Sequence, residues 1–298
     1  VIPNRRTLLL GAGASLVATP IIADPEPPPI RRPSETMPMT GRPVQGGFIF
    51  GRTTPGASIE VDGTALTQAS RSGLFVVGFD RDGPASTRIA TATATPDAAT
   101  GQMRVTTTPV AVAPGSFPSS RIDGLPPSTI APSDPDLLAR IQRELALKTA
   151  AFQSRADTED FAGGFVWPLE AYRISSAWGA QRILNGTPAR PHYGIDLAAP
   201  QGTPIRAPAP GLVVLAEPDM HFEGGLTLID HGQGLISVYL HQSRLDVTAG
   251  QRVLRGQPIG LVGMKGRATG PHLCWRMKWR DRNLDPSLMV GARAPDFA

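Results

Sequence analysis

The chemistry available to this chain sits in five histidines, a single cysteine and an aspartate four residues after the first of those histidines. His192, His221, His231, His241 and His272 all fall in the last two fifths of the 298 residues. Cys274 stands two residues after His272 in TGPHLCWRM. Alternation through HLCWRMKW puts His272, Cys274, Arg276 and Lys278 on one strand face and Leu273, Trp275, Met277 and Trp279 on the other. The aromatic side is the natural core side, so imidazole and thiol point together into something polar. In PHYGIDLAAP, His192 and Asp196 are four apart, about 13 Å along a straight strand. Zinc ligands lie about 2 Å from one ion, so a shared metal demands a bend, and Gly194 stands where one could form. An imidazole, a carboxylate and a thiolate would make three ligands and leave a fourth tetrahedral position for water. Sulfur favours zinc over magnesium or calcium. His241 closes LISVYLH, where alternation sends it to the side of Tyr239 and Ser237. His231, in DHGQG, reads as a turn residue bonding locally, and His221 has no assigned role.

These residues need a scaffold, and composition limits which one. Two domains suit the length. With 31 Pro and 32 Gly the chain should be strands, turns and loops rather than long helices. A net charge of +4 suits anionic surfaces without choosing among nucleic acid, lipid and cell-wall polymer. With no Gly-rich phosphate loop, CxxC pair or basic run interleaved with aromatics, no nucleic-acid partner is expected.

Residues 1–23 have the layout of an export signal: Arg5 and Arg6, then an uncharged stretch from Thr7 to Ala23 too short for a comfortable membrane span. The arginine pair resembles a twin-arginine signal; an ordinary secretory signal is the alternative. Either way no stable membrane span is expected after processing. In an exported protein a lone cysteine has no internal disulfide partner, leaving burial, a reactive thiol or metal ligation.

Residues 24–40 read as a Pro-rich linker. Short β-type runs over 41–113 predict a small β-sandwich, either a binding or a spacer module. Residues 114–163 predict a joint and one helix of roughly six turns, with Ser133 or Asp134 as N-cap and Leu137, Leu138, Ile141, Leu145 and Leu147 at helical spacing. From 164 to 291 strands and turns resume, and DHGQG is the clearest hairpin turn. The fold class is mainly β.

Taken together, HYGIDLAAPQGTPIRAPAPG, IDHGQGLISVYLH and GRATGPHLCW resemble the lysostaphin-type (LytM-type) zinc endopeptidases, which cut peptide cross-links of bacterial peptidoglycan. The resemblance covers roughly residues 165–290. It implies a compact antiparallel β peptidase domain with one Zn²⁺ in a groove and peptidoglycan stem peptides as partner. It further implies His192 and Asp196 as zinc ligands, and His241 and His272 as catalytic histidines. The family's third ligand, the second histidine of a His-x-His pair, is Cys274 here. Thiolate ligation would make the site formally neutral where the usual donor set leaves one positive charge. The alternatives are a silent domain that binds peptidoglycan or activates another hydrolase, and a Cys-His nucleophile pair, which leaves His192 and Asp196 without a role. Decay of an unused site would not be expected to spare four site residues while exchanging one good ligand for another. The export layout points to the periplasm, and by family analogy to a direct cross-link through diaminopimelate.

Overall fold

The computed structural model describes residues 37–93, 96–124 and 132–295. The expected export signal and most of the Pro-rich linker lie outside these residues. The first strands are β1 (Met39–Arg42), β2 (Phe48–Arg52), β3 (Ser58–Val61), β4 (Thr64–Gln68), β5 (Leu74–Gly78), β6 (Ser86–Ala92) and β7 (Val105–Ala111). They form two antiparallel sheets, β1-β2-β5 and β4-β3-β6-β7. Local sequence dictates the turns: β3 and β4 are joined by Asp62 (φ 51°) and Gly63 (φ 82°), the Asp-Gly pair that tolerates the left-handed conformation a tight hairpin needs.

The joint that follows contributes β8 (Ser119–Ile122) and one helix, α1 (Pro135–Ala151). Asp134 caps the helix by accepting from the Leu137 N–H at 2.8 Å, and Pro135 follows where its missing N–H costs nothing. At 17 residues α1 is under five turns, shorter than the six expected. Its leucines do not anchor it either. Leu138, Leu145 and Leu147 are 41%, 50% and 45% exposed. The inward face is polar instead. Arg140 bonds Glu144 at 2.7 Å and Asp219 at 3.2 Å, Glu144 accepts from the His221 N–H at 2.9 Å, and Lys148 pairs with Glu223.

The remaining strands are β9 (Arg173–Ser176), β10 (Gln181–Leu184), β11 (Thr187–Pro188), β12 (Ile195–Ala198), β13 (Pro204–Arg206), β14 (Gly211–Met220), β15 (Gly224–Asp230), β16 (Leu235–Gln242), β17 (Arg244–Leu245), β18 (Arg252–Val253), β19 (Pro258–Leu261), β20 (His272–Trp279) and β21 (Arg282–Leu284), followed by a 3₁₀ turn, Pro286–Met289. The large sheet runs β18-β14-β15-β16-β20-β12-β9, with β21 added to β20. Two small sheets, β13-β19-β17 and β11-β10-β8, flank it.

One continuous apolar core joins the N-terminal sheets to the large sheet, running from Phe48, Phe50 and Phe75 to Tyr239, Trp275 and Trp279. Phe50 stacks on Phe161 at 5.4 Å, and a Cβ on Gly78 would lie 2.7 Å from Leu284, so β5 and β21 are in direct contact. The β15–β16 turn completes the seam. Gln233, itself left-handed (φ 55°), accepts from the Val76 N–H at 3.2 Å and donates to Leu74 C=O at 2.9 Å, occupying the open edge of β5 as a further strand would. Gln233→Ala orphans both buried groups and is expected to cost about 2–3 kcal/mol. Urea denaturation should show this loss in one transition shared by probes of the N- and C-terminal sheets; two separated transitions in the parent protein would refute the shared core.

Candidate metal centre

The centre rests on one pairing. β12 and β20 run antiparallel with Asp196 opposite Cys274 and Ala198 opposite His272, while Ile195 and Leu197 face Trp275 and Leu273 on the core side. His192 lies just before β12. Its backbone is held by hydrogen bonds from the Gly179 N–H to its C=O (2.7 Å) and from its own N–H to Ala180 C=O (2.9 Å). Its ring meets Ser176 Oγ through Nδ1 at 3.2 Å. Nε2 is thereby turned inward, 3.2 Å from Asp196 Oδ1 and 3.3 Å from Cys274 Sγ. Donor atoms of His192, Asp196 and Cys274 all lie within 4.8 Å of one another, and all three residues are buried. The chain does bend between His192 and Asp196. The bend falls at Gly194, which also contributes room: a Cβ there would sit 2.7 Å from Cys274 Sγ and 2.9 Å from Arg276 Cγ.

The donors fit a soft-to-borderline divalent cation. Asp196 Oδ1 is buried and accepts no hydrogen bond, a costly vacancy for a carboxylate unless a cation fills it. Burial by itself would raise the Asp196 carboxyl, but the close approach of the His192 ring, with His272 beyond it, brings it down to about 2, so it is ionised. Burial lowers the His192 pKa and keeps its ring neutral, as a ligand must be. Burial also pushes the Cys274 thiol up to about 12, with the neighbouring Arg276 pulling the other way.

His241 reaches the centre by breaking the strand pattern. β16 pairs Leu240 with Cys274 and Tyr239 with Trp275, so strict alternation would place His241 on the core face beside Tyr239. The β15–β16 register prevents this. Thr227 faces Tyr239, yet Gly225 faces Gln242, so β16 carries one extra residue at this point. His241 has φ 65°, unusual for a histidine. Its N–H donates to Glu223 C=O at 2.8 Å, and its ring lies 4.7 Å from that of His272. The expectation from alternation is therefore corrected by a bulge. Both rings are oriented by carbonyls: His241 Nδ1–H donates to Lys265 C=O and His272 Nδ1–H to Gly270 C=O, each at 2.8 Å. Nε2 is left free on each, that of His272 3.7 Å from Asp196 Oδ1. Burial, then repulsion from His272, lowers His241 to about 4.

The remaining histidines go elsewhere. His231 is buried, with Nδ1 on Pro210 C=O (2.6 Å) and Nε2 on Ser237 Oγ (2.7 Å), which meets Tyr239 OH at 2.8 Å. His221 packs its ring on Phe222 at 4.5 Å. Sequence reasoning missed Ser176 and Arg182, whose Nη2 is 3.6 Å from Asp196 Oδ2. Neither carries a local signal, because each is brought in by pairing between distant strands.

Burial lowers the pKa of His192, His231 and His241 in the fold. Each therefore resists protonation when folded but not when unfolded. Their stabilisation is complete above pH 6.5 and drains as pH falls toward the folded value, about 4 for His241. Each histidine contributes at most about 1.4 kcal/mol per pH unit in that window. Metal-free protein should thus be several kcal/mol less stable at pH 4.5 than at pH 7.5 by urea denaturation in chelator. Equal midpoints at the two pH values would count against neutral, buried histidines.

A mainly β chain that gathers imidazole, carboxylate and thiol beneath two further imidazoles has the construction of a metallopeptidase. Residues 190–286 match Peptidase family M23. The chain superposes on a crystal structure of a peptidase M23 from Pseudomonas aeruginosa with a TM-score of 0.62 and 31% identity, covering 84% of this chain and 96% of that one. The chain belongs to Peptidase family M23. It is also 40% identical over 121 residues to the peptidoglycan DD-endopeptidase ShyA of Vibrio cholerae, covering 40% of this chain and 28% of that protein. With the DD-carboxypeptidase/endopeptidase Mpg of Neisseria meningitidis it shares 38% identity over 136 residues, covering 45% of this chain and 31% of that one. The matches thus span under a third of the length of these curated relatives.

Proposed function

We propose that this protein is an exported, zinc-dependent endopeptidase that hydrolyses peptide cross-links of peptidoglycan. The observation that carries the proposal is the convergence of His192 Nε2, Asp196 Oδ1 and Cys274 Sγ on one point beside His241 and His272. These three residues would hold the zinc, which when bound supplies the Lewis acidity that activates water and polarises the scissile carbonyl. The names of the relatives support the substrate, since ShyA and Mpg are a peptidoglycan DD-endopeptidase and a DD-carboxypeptidase/endopeptidase. That chemistry suits a direct cross-link rather than a glycine bridge. The arginine pair and uncharged stretch at residues 5–23 support a periplasmic location. Among the described residues no helix is long and apolar enough to cross a membrane.

The two histidines divide the proton work. His241, kept neutral by burial and fixed through Nδ1–H, offers Nε2 as the acceptor of the water proton. His272, likewise fixed through Nδ1–H, presents Nε2 beside the Asp196 carboxylate, where it can relay a proton to the leaving amine. The left-handed backbone at His241 is the local cost of bringing its ring to this position.

Full-length protein incubated with purified peptidoglycan should bind one zinc and release cross-link-cleaved muropeptides, read by elemental analysis and mass spectrometry. Zinc-free protein that leaves the sacculi intact would instead favour a silent, wall-binding domain. His241→Ala and His272→Ala should each lower kcat by 10²–10⁴-fold with zinc retained; loss of zinc would mean that a ligand had been mistaken for a catalyst. Cys274→His exchanges an anionic donor for a neutral one and should move the acid limb of the pH–rate profile to lower pH. An unshifted limb would argue against sulfur in the donor set.

A further inference from the structure

Cys274 has a partner that the histidine it replaces would not require. Arg276 stands two residues along β20 on the same strand face, and its Nε–H donates to Cys274 Sγ at 3.4 Å. The contact is built into the fold. A side chain at Gly194 would collide both with Cys274 Sγ and with Arg276 Cγ and would crowd Nε at 3.3 Å, so one glycine clears space for the sulfur and the guanidinium together. β16 fixes the strand from its other side, pairing Leu240 with Cys274 and Val238 with Arg276.

Charge explains what this contact could do. Asp196 and a thiolate bring two negative charges to a dication, and the sum is zero. A guanidinium against the sulfur returns the local total to plus one. An N–H donor also draws electron density from sulfur, so the thiolate gives less to the metal and the metal keeps more of its Lewis acidity. Arginine suits this place because it stays charged when partly buried and offers a directed N–H. Asp196 has an analogous neighbour in Arg182, at 3.6 Å.

We propose that Arg276 is a positioning residue for the metal centre: it holds the Cys274 sulfur by an N–H···S bond and offsets the charge that sulfur brings. The proposal rests on Cys274 being a metal ligand, so the test reads that separately. Cobalt(II) replaces zinc in full-length protein, and the sulfur-to-cobalt charge-transfer absorption in the near ultraviolet is recorded. The parent protein is expected to show the band and Cys274→His to lack it. In Arg276→Met the band should persist but move to longer wavelength, because sulfur lone pairs freed of the hydrogen bond and positive charge rise in energy. Arg276→Lys, which keeps a cation in the same slot and protects against a folding failure in the methionine variant, should return the band most of the way. A band unmoved in both Arg276 variants would overturn the role of Arg276 while leaving Cys274 as a ligand. Absence of the band from the parent protein would remove sulfur from the centre and overturn both.

Discussion

The cross-strand pair Asp196–Cys274 is the constraint on which the rest of the site depends. Adjacent strands hold directly opposed side chains about 4.5–5.5 Å apart, so the register of β12 against β20 brings oxygen and sulfur into range without any loop. Shifting that register by one residue would turn one of the two side chains into the aromatic core and part it from the other. The register is strongly specified because Ile195 and Leu197 on one strand, and Leu273 and Trp275 on the other, are all buried on the opposite face. Core packing thereby sets the geometry of the polar face.

The N-terminal sheets extend this logic. Their core is continuous with that of the large sheet, and Gln233 closes the seam by pairing with the edge of β5. A module that reads in sequence as a binding or spacer unit is packed into the back of the sheet whose other face carries the donors. Its contribution is support: Trp275 and Trp279, which hold the core side of β20, lie in the cluster that reaches Phe48 and Phe75. Helix α1 contributes less to packing and is tied on by Arg140, Glu144 and Lys148. Such part-exposed ion pairs are individually weak. Lys148 nevertheless orients Glu223, whose backbone carbonyl receives the His241 N–H.

Electrostatically the centre is a small set of opposed charges. A buried carboxylate and a thiol share the space with two guanidinium groups, and the imidazoles of His192 and His241 are kept neutral by burial. The buried acceptor without a hydrogen-bond donor is Asp196 Oδ1, where a cation would complete the set.

By itself the sequence determined the mainly β architecture, the alternation of β20, the DHGQG hairpin, the helix start at Asp134 and Pro135, and the short roster of residues able to do chemistry. These are legible because strand periodicity, turn residues and caps act over a few positions. It also held a condition, that any metal shared by His192 and Asp196 would demand a bend between them, since ligands of one ion cannot lie four residues apart on a straight strand. Only the tertiary structure decided that His241 faces the centre. That outcome follows from an extra residue in β16 relative to β15, a pairing between strands that no period along one strand encodes. The same holds for Arg276 against sulfur, Ser176 against His192 and Gln233 against β5. Each is a contact made by register or by packing across the fold, and its partner is chosen by where the backbone goes rather than by what stands nearby in the chain.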